Sequence, residues 1–240
     1  TATEKGGVEA TPLLVDSLVI VATLAGDVVA YQQADGTEIW RLKTGEAIHG
    51  GPNLATVAGK RLLLVGGYDF QLRAIEAGTG KPVWSLKSEN FINGTPAIDE
   101  QNALALFGGC DGWLRAIDLA TGQEKFKAQA DSYLPSSPSI GQGVVYAGSH
   151  GGILHAVSLA DGKTAWTFQA SKENPLLAPP AITGRQIFLI SGRQRFVLEA
   201  KTGKKQLEFT GRGEATAAPV SDGDKALVAD AAGWLTISRL

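Results

Sequence analysis

Methionine is absent from the 240 residues, cysteine occurs once and histidine three times. The single cysteine, Cys110, cannot close an internal disulfide, and it excludes the cysteine-rich zinc sites that staple small domains. Within GGCDG it reads as a small turn residue, because a nucleophile would need a base and no Cys/His pair stands at a recognised spacing. His49, His150 and His155 lack the spacing and flanking carboxylates of a metal centre, and read as turn or surface residues. Without any methionine, an initiator included, the chain looks processed or excised from something longer, and no secretory or transit signal is visible. Long apolar runs are missing as well. The longest, LVIVATLA at 18–25, is far too short to span a bilayer. A net charge of −2 gives no overall pull toward nucleic acid or anionic membrane, so neither is expected as a partner. The charged fraction, 19 %, suits a folded soluble domain.

What the chain does have is repetition. GWLRAIDLATGQEKF at 112–126 is echoed by GDVVAYQQADGTEIW at 26–40, LRAIEAGTGKPVW at 72–84 and GILHAVSLADGKTAW at 152–166. Pro12, Pro52, Pro96, Pro138, Pro180 and Pro219 open six units, with spacings of 40, 44, 42, 42 and 39 residues. A turn glycine recurs at Gly36, Gly80, Gly122, Gly162 and Gly203. A period near 42 is what one four-stranded propeller blade needs. Helical solenoids of similar period are excluded, since the units are short Val/Ile/Leu runs broken by Gly-Gly, Asp-Gly and Thr-Gly.

Each unit reads as four strands, A to D. Strand A follows the proline, which is tolerated at a strand's first position. Strand B is the apolar run: 18–21, 62–65, 103–107, 144–147, 187–190 and 226–229. Its continuous apolarity implies burial on both faces. Strand C carries the LRAI pattern, and strand D follows the glycine turn. An aromatic sits four residues beyond that glycine at Trp40, Trp84, Phe126 and Trp166; Leu207 takes the place in the fifth unit, where Phe209 is positioned to replace the missing ring. Opposite, six residues before the glycine, stand Ala30, Ala74, Ala116, Ala156 and Val197. Small facing large is a packing solution, so these aromatics read as core docking residues.

The pattern Ala-x-(Asp/Glu)-x-x-(Thr/Asp)-Gly-x-x-x-Trp resembles the tryptophan-docking repeat of PQQ-like β-propellers, a superfamily that includes quinoprotein dehydrogenases and the outer-membrane assembly lipoprotein BamB. Ala74, Glu76, Thr79, Gly80 and Trp84 match it position by position. The resemblance covers the whole chain and implies one all-β propeller domain over 1–240, of about six four-stranded blades at approximately 8–47, 48–91, 92–133, 134–175, 176–214 and 215–240. Relatives commonly have seven or eight blades. The chain stops before the sixth unit's turn and D strand, so the ring is expected either to be incomplete or to be closed by Thr1–Gly7 pairing near Trp234–Ser238.

The same resemblance implies two functional classes, a quinoprotein dehydrogenase or a fragment of one and a BamB-like scaffold, and a third reading stands beside them: a ligand-binding or sensor domain excised from a larger envelope protein. A quinoprotein would need a quinone stacked on tryptophan, a calcium ion, a catalytic aspartate and often a vicinal disulfide. One cysteine rules out the last; Trp113 and Trp234 are the available indoles; Asp69 and Asp111 read as turn residues. Glu76, Asp118 and Glu199 share one repeat position and serve the turn. No nucleophile elbow or phosphate loop stands apart from the repeat. The expectation is therefore no enzyme and no cofactor. The BamB-like alternative is a periplasmic or envelope scaffold, monomeric or part of a larger assembly, that binds a protein or peptide on the face shared by the D–A and B–C loops. Val8, Ile48, Ile92, Leu134, Leu176 and Ala215 recur there and read as plugs for the loops. Their non-repeating neighbours Phe70, Phe91, Tyr133, Leu177, Arg193 and Arg195 are the partner-binding candidates. Of the other basic residues of the fifth unit, Arg185, Lys201, Lys204 and Lys205 fall on the opposite face and Arg212 on this one, and they read as a solvated edge.

Overall fold

A computed structural model describes residues 4, 6–215, 217–222 and 225–239. Among them no helix forms, and 23 strands build six antiparallel sheets. The first blade holds β1 (Leu13–Val15), β2 (Leu18–Ala22), β3 (Asp27–Gln32) and β4 (Glu38–Lys43). The second holds β5 (Asn53–Val57), β6 (Lys60–Gly66), β7 (Gln71–Glu76) and β8 (Pro82–Lys87). The third comprises β9 (Ala97–Asp99), β10 (Leu104–Gly108), β11 (Trp113–Asp118) and β12 (Glu124–Gln129). The fourth comprises β13 (Ser139–Gly141), β14 (Val144–Gly148), β15 (Ile153–Ser158) and β16 (Thr164–Gln169). The fifth has β17 (Ala181–Thr183), β18 (Gln186–Ser191), β19 (Gln194–Glu199) and β20 (Lys205–Thr210). The sixth has three described strands, β21 (Val220–Asp222), β22 (Lys225–Ala229) and β23 (Leu235–Arg239). This is the all-β propeller fold that the repeat implies.

Within each sheet the strands follow chain order as a meander. The second strand is buried on both faces, as its unbroken apolarity requires: Leu62–Val65 and Leu104–Phe107 are each under 7 % exposed. The third and fourth strands share a register shift one residue past the small residue, at Ala30/Tyr31, Ala74/Ile75, Ala156/Val157 and Val197/Leu198. This bulge sets Trp40, Trp84 and Trp166 directly opposite Ala30, Ala74 and Ala156.

The chain divides into two compact units, residues 1–111 with 115–127, and 112–114 with 128–240. In the first, Trp40 packs against Leu63, Val65, Ile75 and Ala77, and Trp84 joins the cluster of Ala105, Phe107, Ile117 and Leu119. Trp166 repeats this in the second unit, with Ile187, Leu189, Leu198 and Ala200. All three rings are half-buried rather than enclosed. Phe126 is also half-buried, on β12. Leu207 corrects an expectation. It faces Val197 in the tryptophan register but is 46 % exposed, and Phe209 packs in the cluster instead. The aliphatic side chain is too short to reach the neighbouring wall. The anticipated pairing of Thr1–Gly7 falls largely outside the described residues.

Turn chemistry follows the reading of the repeat. Gly80 takes φ +71 and donates its N–H to the Glu76 carbonyl at 2.9 Å, while Thr79 Oγ1 donates to Glu76 Oε2 at 2.6 Å. Asp118 accepts from Thr121 N–H and Oγ1 at 2.9 and 3.0 Å. The recurring acids are engaged by their own turns.

Candidate functional site

The D–A and B–C loops are tied together by one repeated backbone bond. The hairpin N–H groups of Leu24, Tyr68, Cys110, His150 and Ala231 donate to the carbonyls of Gly7, Ala47, Phe91, Tyr133 and Glu214, at 2.8–3.1 Å. Beneath, Ile48, Ile92, Leu134 and Leu176 are fully buried and anchor the loops. Gly66 makes room for one of them: a Cβ there would lie 2.3 Å from Ile92 Cγ2. Val8 departs from the pattern at 41 % exposed.

Ion pairs brace the same hairpins. Arg73 pairs with Asp69, and Arg115 Nη2 reaches Asp111 Oδ2 at 2.7 Å with both side chains about 5 % exposed. In the second unit His155 Nε2 meets Asp131 Oδ1 at 2.7 Å. These braces went unrecognised in the sequence, although Asp-x-x-x-Arg occurs at both 69–73 and 111–115 and is the signal that could have revealed them.

On this framework the first unit carries a run of aromatic rings. His49 and Tyr68 lie 4.6 Å apart, Tyr68 stacks on Phe91 at 4.2 Å, and Phe70 meets Phe91 edge-on at 5.1 Å. His49 Nδ1 lies 2.9 Å from Glu9 Oε2. The Tyr68 hydroxyl is held above its ordinary pKa by burial and by the neighbouring Cys110 and Glu9. Cys110 itself is kept protonated by burial and by Asp111, and receives Asn93 Nδ2 at 3.4 Å. It is a packed thiol rather than a nucleophile.

The second unit presents Tyr133 stacked on His150 at 4.3 Å. Beside Leu177, which is 63 % exposed, a cavity of about 380 Å³ is lined by Pro175, Pro179, Ile190 and Glu214 among others. Arg193 is exposed and donates Nε–H to the Gly211 carbonyl. Arg195 is a correction. Expected at the surface, it is 2 % exposed, and its guanidinium donates to the carbonyls of Gly192, Gln194 and Gly213. Its register, one residue before the Phe196–Leu189 pair, is the one that Leu154 holds before His155–Ala147. An inward-facing core position therefore carries the charge, and Arg195 cannot meet a partner directly. The structure thus brings Phe70 and Phe91 together within the first unit and exposes Tyr133, Leu177 and Arg193 on the second.

A family model described as outer membrane protein assembly factor BamB matches residues 24–240. The chain belongs to this BamB-like family of PQQ-type propellers. Its fold superposes on BamB from Moraxella catarrhalis with a TM-score of 0.81, at 18 % identity, covering 97 % of this chain and 73 % of that one. Quinohemoprotein alcohol dehydrogenase from Comamonas testosteroni follows at TM-score 0.71 and 19 % identity, covering 85 % and 43 %. At these identities the likeness speaks for fold alone. A curated relative, quinohemoprotein alcohol dehydrogenase ADH-IIG of Pseudomonas putida, is 33 % identical over 105 residues. That match spans 38 % of this chain and 15 % of the dehydrogenase.

Asp69 and Asp111, the acids nearest the hairpins, are neutralised by Arg73 and Arg115. Among the described residues no three His, Cys, Asp or Glu side chains converge to hold a metal. Of the two spare indoles, Trp113 opens an ordinary third strand, and Trp234 is covered by Arg212 at 3.8 Å from its ring.

Proposed function

We propose that this BamB-like propeller is a non-catalytic interaction scaffold of the bacterial cell envelope, with its D–A and B–C loops as the recognition surface. The observation that carries the reading is the Tyr68–Phe91–Phe70 ring stack on loops locked by repeated backbone bonds. Rigid aromatic side chains bury much area at small entropic cost, which suits them to anchor a protein or peptide. Phe91 and Tyr133 remain more than one-third exposed although each also stacks on a neighbour. The ligand that fits is an extended segment offering aliphatic, proline or aromatic groups. Family membership supports the envelope setting, and the periplasm in particular.

Cross-linking capture from a native envelope tests this. Phe91→Ser with Tyr133→Ser, or Arg193→Glu, should abolish partner capture with little change in Tm. Replacing Lys201, Lys204 and Lys205 with Glu should leave it intact. Loss of capture in the lysine variant alone would overturn the assignment of the face. The dehydrogenase relative motivates one competing reading, a quinone-dependent oxidoreductase fragment. Dye-linked oxidation of alcohols and sugars with added quinone and calcium addresses it, and turnover above the protein-free control would replace the scaffold reading.

A further inference from the structure

The hairpin of the fifth blade is shorter than its counterparts. Five residues separate the last paired positions Ala22–Val28, Gly66–Leu72, Gly148–Leu154 and Ala229–Leu235, namely 23–27, 67–71, 149–153 and 230–234. In the fifth blade Ile190 pairs with Arg195 and Ser191 with Gln194, which leaves Gly192 and Arg193 as the whole loop. The longer hairpins each spend an N–H on the carbonyl just before the plug residue of the preceding connection. Tyr68 does so on Ala47 and His150 on Tyr133, at 3.0 and 2.9 Å. The carbonyl before the plug Leu176 is that of Pro175, and no described residue donates to it.

The shortened tip borders the cavity of about 380 Å³ beside Leu177, whose lining lies wholly within the second unit. Pro175, Leu177, Pro179 and Ile190 give it apolar walls, and the polar side chains in its lining are Asn174 and Glu214. Asn174 turns its Nδ2 toward Ser171 Oγ at 3.4 Å, and its Oδ1 has no partner among the described residues. Glu214 forms no ion pair among them either. The arginines of the fifth blade are engaged elsewhere. Arg193 donates to the Gly211 carbonyl, Arg195 to three carbonyls beneath the surface, and Arg212 lies over the Trp234 ring. Three free acceptors, one of them a carboxylate, therefore border an otherwise apolar space whose lining holds no cation.

We propose that this cavity takes a lysine side chain of the protein partner. The methylene stem lies along Pro175, Leu177 and Ile190, and the ammonium brings three N–H donors for the Glu214 carboxylate, the Pro175 carbonyl and Asn174 Oδ1. Charge complementarity selects the occupant. A neutral aliphatic side chain would cover these acceptors without supplying a donor, and an acidic one would be repelled by Glu214. The acceptors come from two separate connections, which suits a compact ammonium with rotatable donors better than a planar guanidinium fork. The assignment rests on the reading of the D–A and B–C loops as the recognition surface and specifies what one part of that surface holds.

The probe is the tripeptide alanine-lysine-alanine, acetylated and amidated, titrated into the whole protein and followed by methyl NMR at Leu177 and Ile190. Saturable shifts in the millimolar range are expected. The same peptide with norleucine keeps the stem without the charge and should bind at least about tenfold more weakly, and Glu214→Gln should weaken the lysine peptide to a similar degree. Glu173 is an exposed acid of the same connection outside the cavity lining, so Glu173→Gln should change the affinity by less than about twofold. Methyls unmoved throughout the millimolar range, equal binding of the norleucine peptide, or equal losses in the two glutamine variants would each overturn the proposal. Envelope capture separates this result from the scaffold reading. Capture that Phe91→Ser with Tyr133→Ser abolishes, in a protein that does not bind the lysine peptide, keeps the recognition face and refutes the lysine site. Peptide binding that needs Glu214, in a protein whose capture survives those rim changes, keeps the site and refutes the wider face.

Discussion

Truncating Trp84 to alanine isolates what holds one blade to the next. The ring closes the cluster of Leu64, Ala105, Phe107, Ile117 and Leu119 and rests on Gly122. A fully buried tryptophan lost to alanine costs roughly 3–5 kcal/mol. Because this ring is half-buried, its packing share comes to about 2–3 kcal/mol. Loss of the bond from Nε1 to the Leu119 carbonyl adds about 1 kcal/mol, since that carbonyl faces the cluster rather than open water. The expected total is about 3–4 kcal/mol. Urea unfolding followed by circular dichroism measures it, with Trp84→Phe alongside to keep a ring and remove the donor. Phenylalanine should recover more than half of the loss. Trp40→Ala and Trp166→Ala should fall within about 1 kcal/mol of Trp84→Ala, because their walls and hydrogen bonds are equivalent. A cost below about 1 kcal/mol, or three unrelated values, would refute the docking argument.

Two further outcomes follow from single residues. The bond from Lys125 holds the Asp118 carboxyl down to about 2, with Thr121 adding to the effect against the cost of burial. The unfolded value is about 3.9, so this stabilisation is complete above about pH 4 and is lost as pH falls toward 2. Solvent screening at the half-exposed lysine limits it to about 1 kcal/mol. The stability gap between the unmodified protein and Asp118→Asn should be present at pH 6 and close by pH 2; a gap independent of pH would remove the linkage. For Arg195, burial lowers the pKa, the Asp230 charge opposes this, and Arg193 reinforces it. Arg195→Leu, which restores the residue type of the fourth blade, should be at least about 1 kcal/mol more stable than Arg195→Ala. Equal urea midpoints for the two would show that the position is not part of the core.

Much of the architecture was legible because six imperfect copies reinforce a weak local signal. The strand at 144–147 was read from apolarity alone and occupies Val144–Gly148. Glu76 and Asp118 were correctly assigned to their turns, whose hydrogen bonds span only three residues. The docking tryptophans were found by spacing, but not their bulge, since an extra residue in one strand is defined only by its partner. Leu207 kept the spacing and lost the contact, because reach depends on the neighbouring wall.

The sequence by itself determined the strands, the turns, the repeat and therefore the propeller fold. Each of these depends on interactions within a few residues, or on a pattern that returns every 42 or so. Tertiary structure alone decided which loop residues meet. Tyr68 and Phe91 are joined by a hairpin from one part of the chain and a connection from another, and their stacking follows from how those two are pinned. It also decided that Arg195 turns inward while Arg193, two residues away, stays exposed. Strand alternation would put both on one face. The hairpin glycine Gly192, at φ +55, reorients the chain before the strand begins at Gln194, so alternation does not yet apply to Arg193.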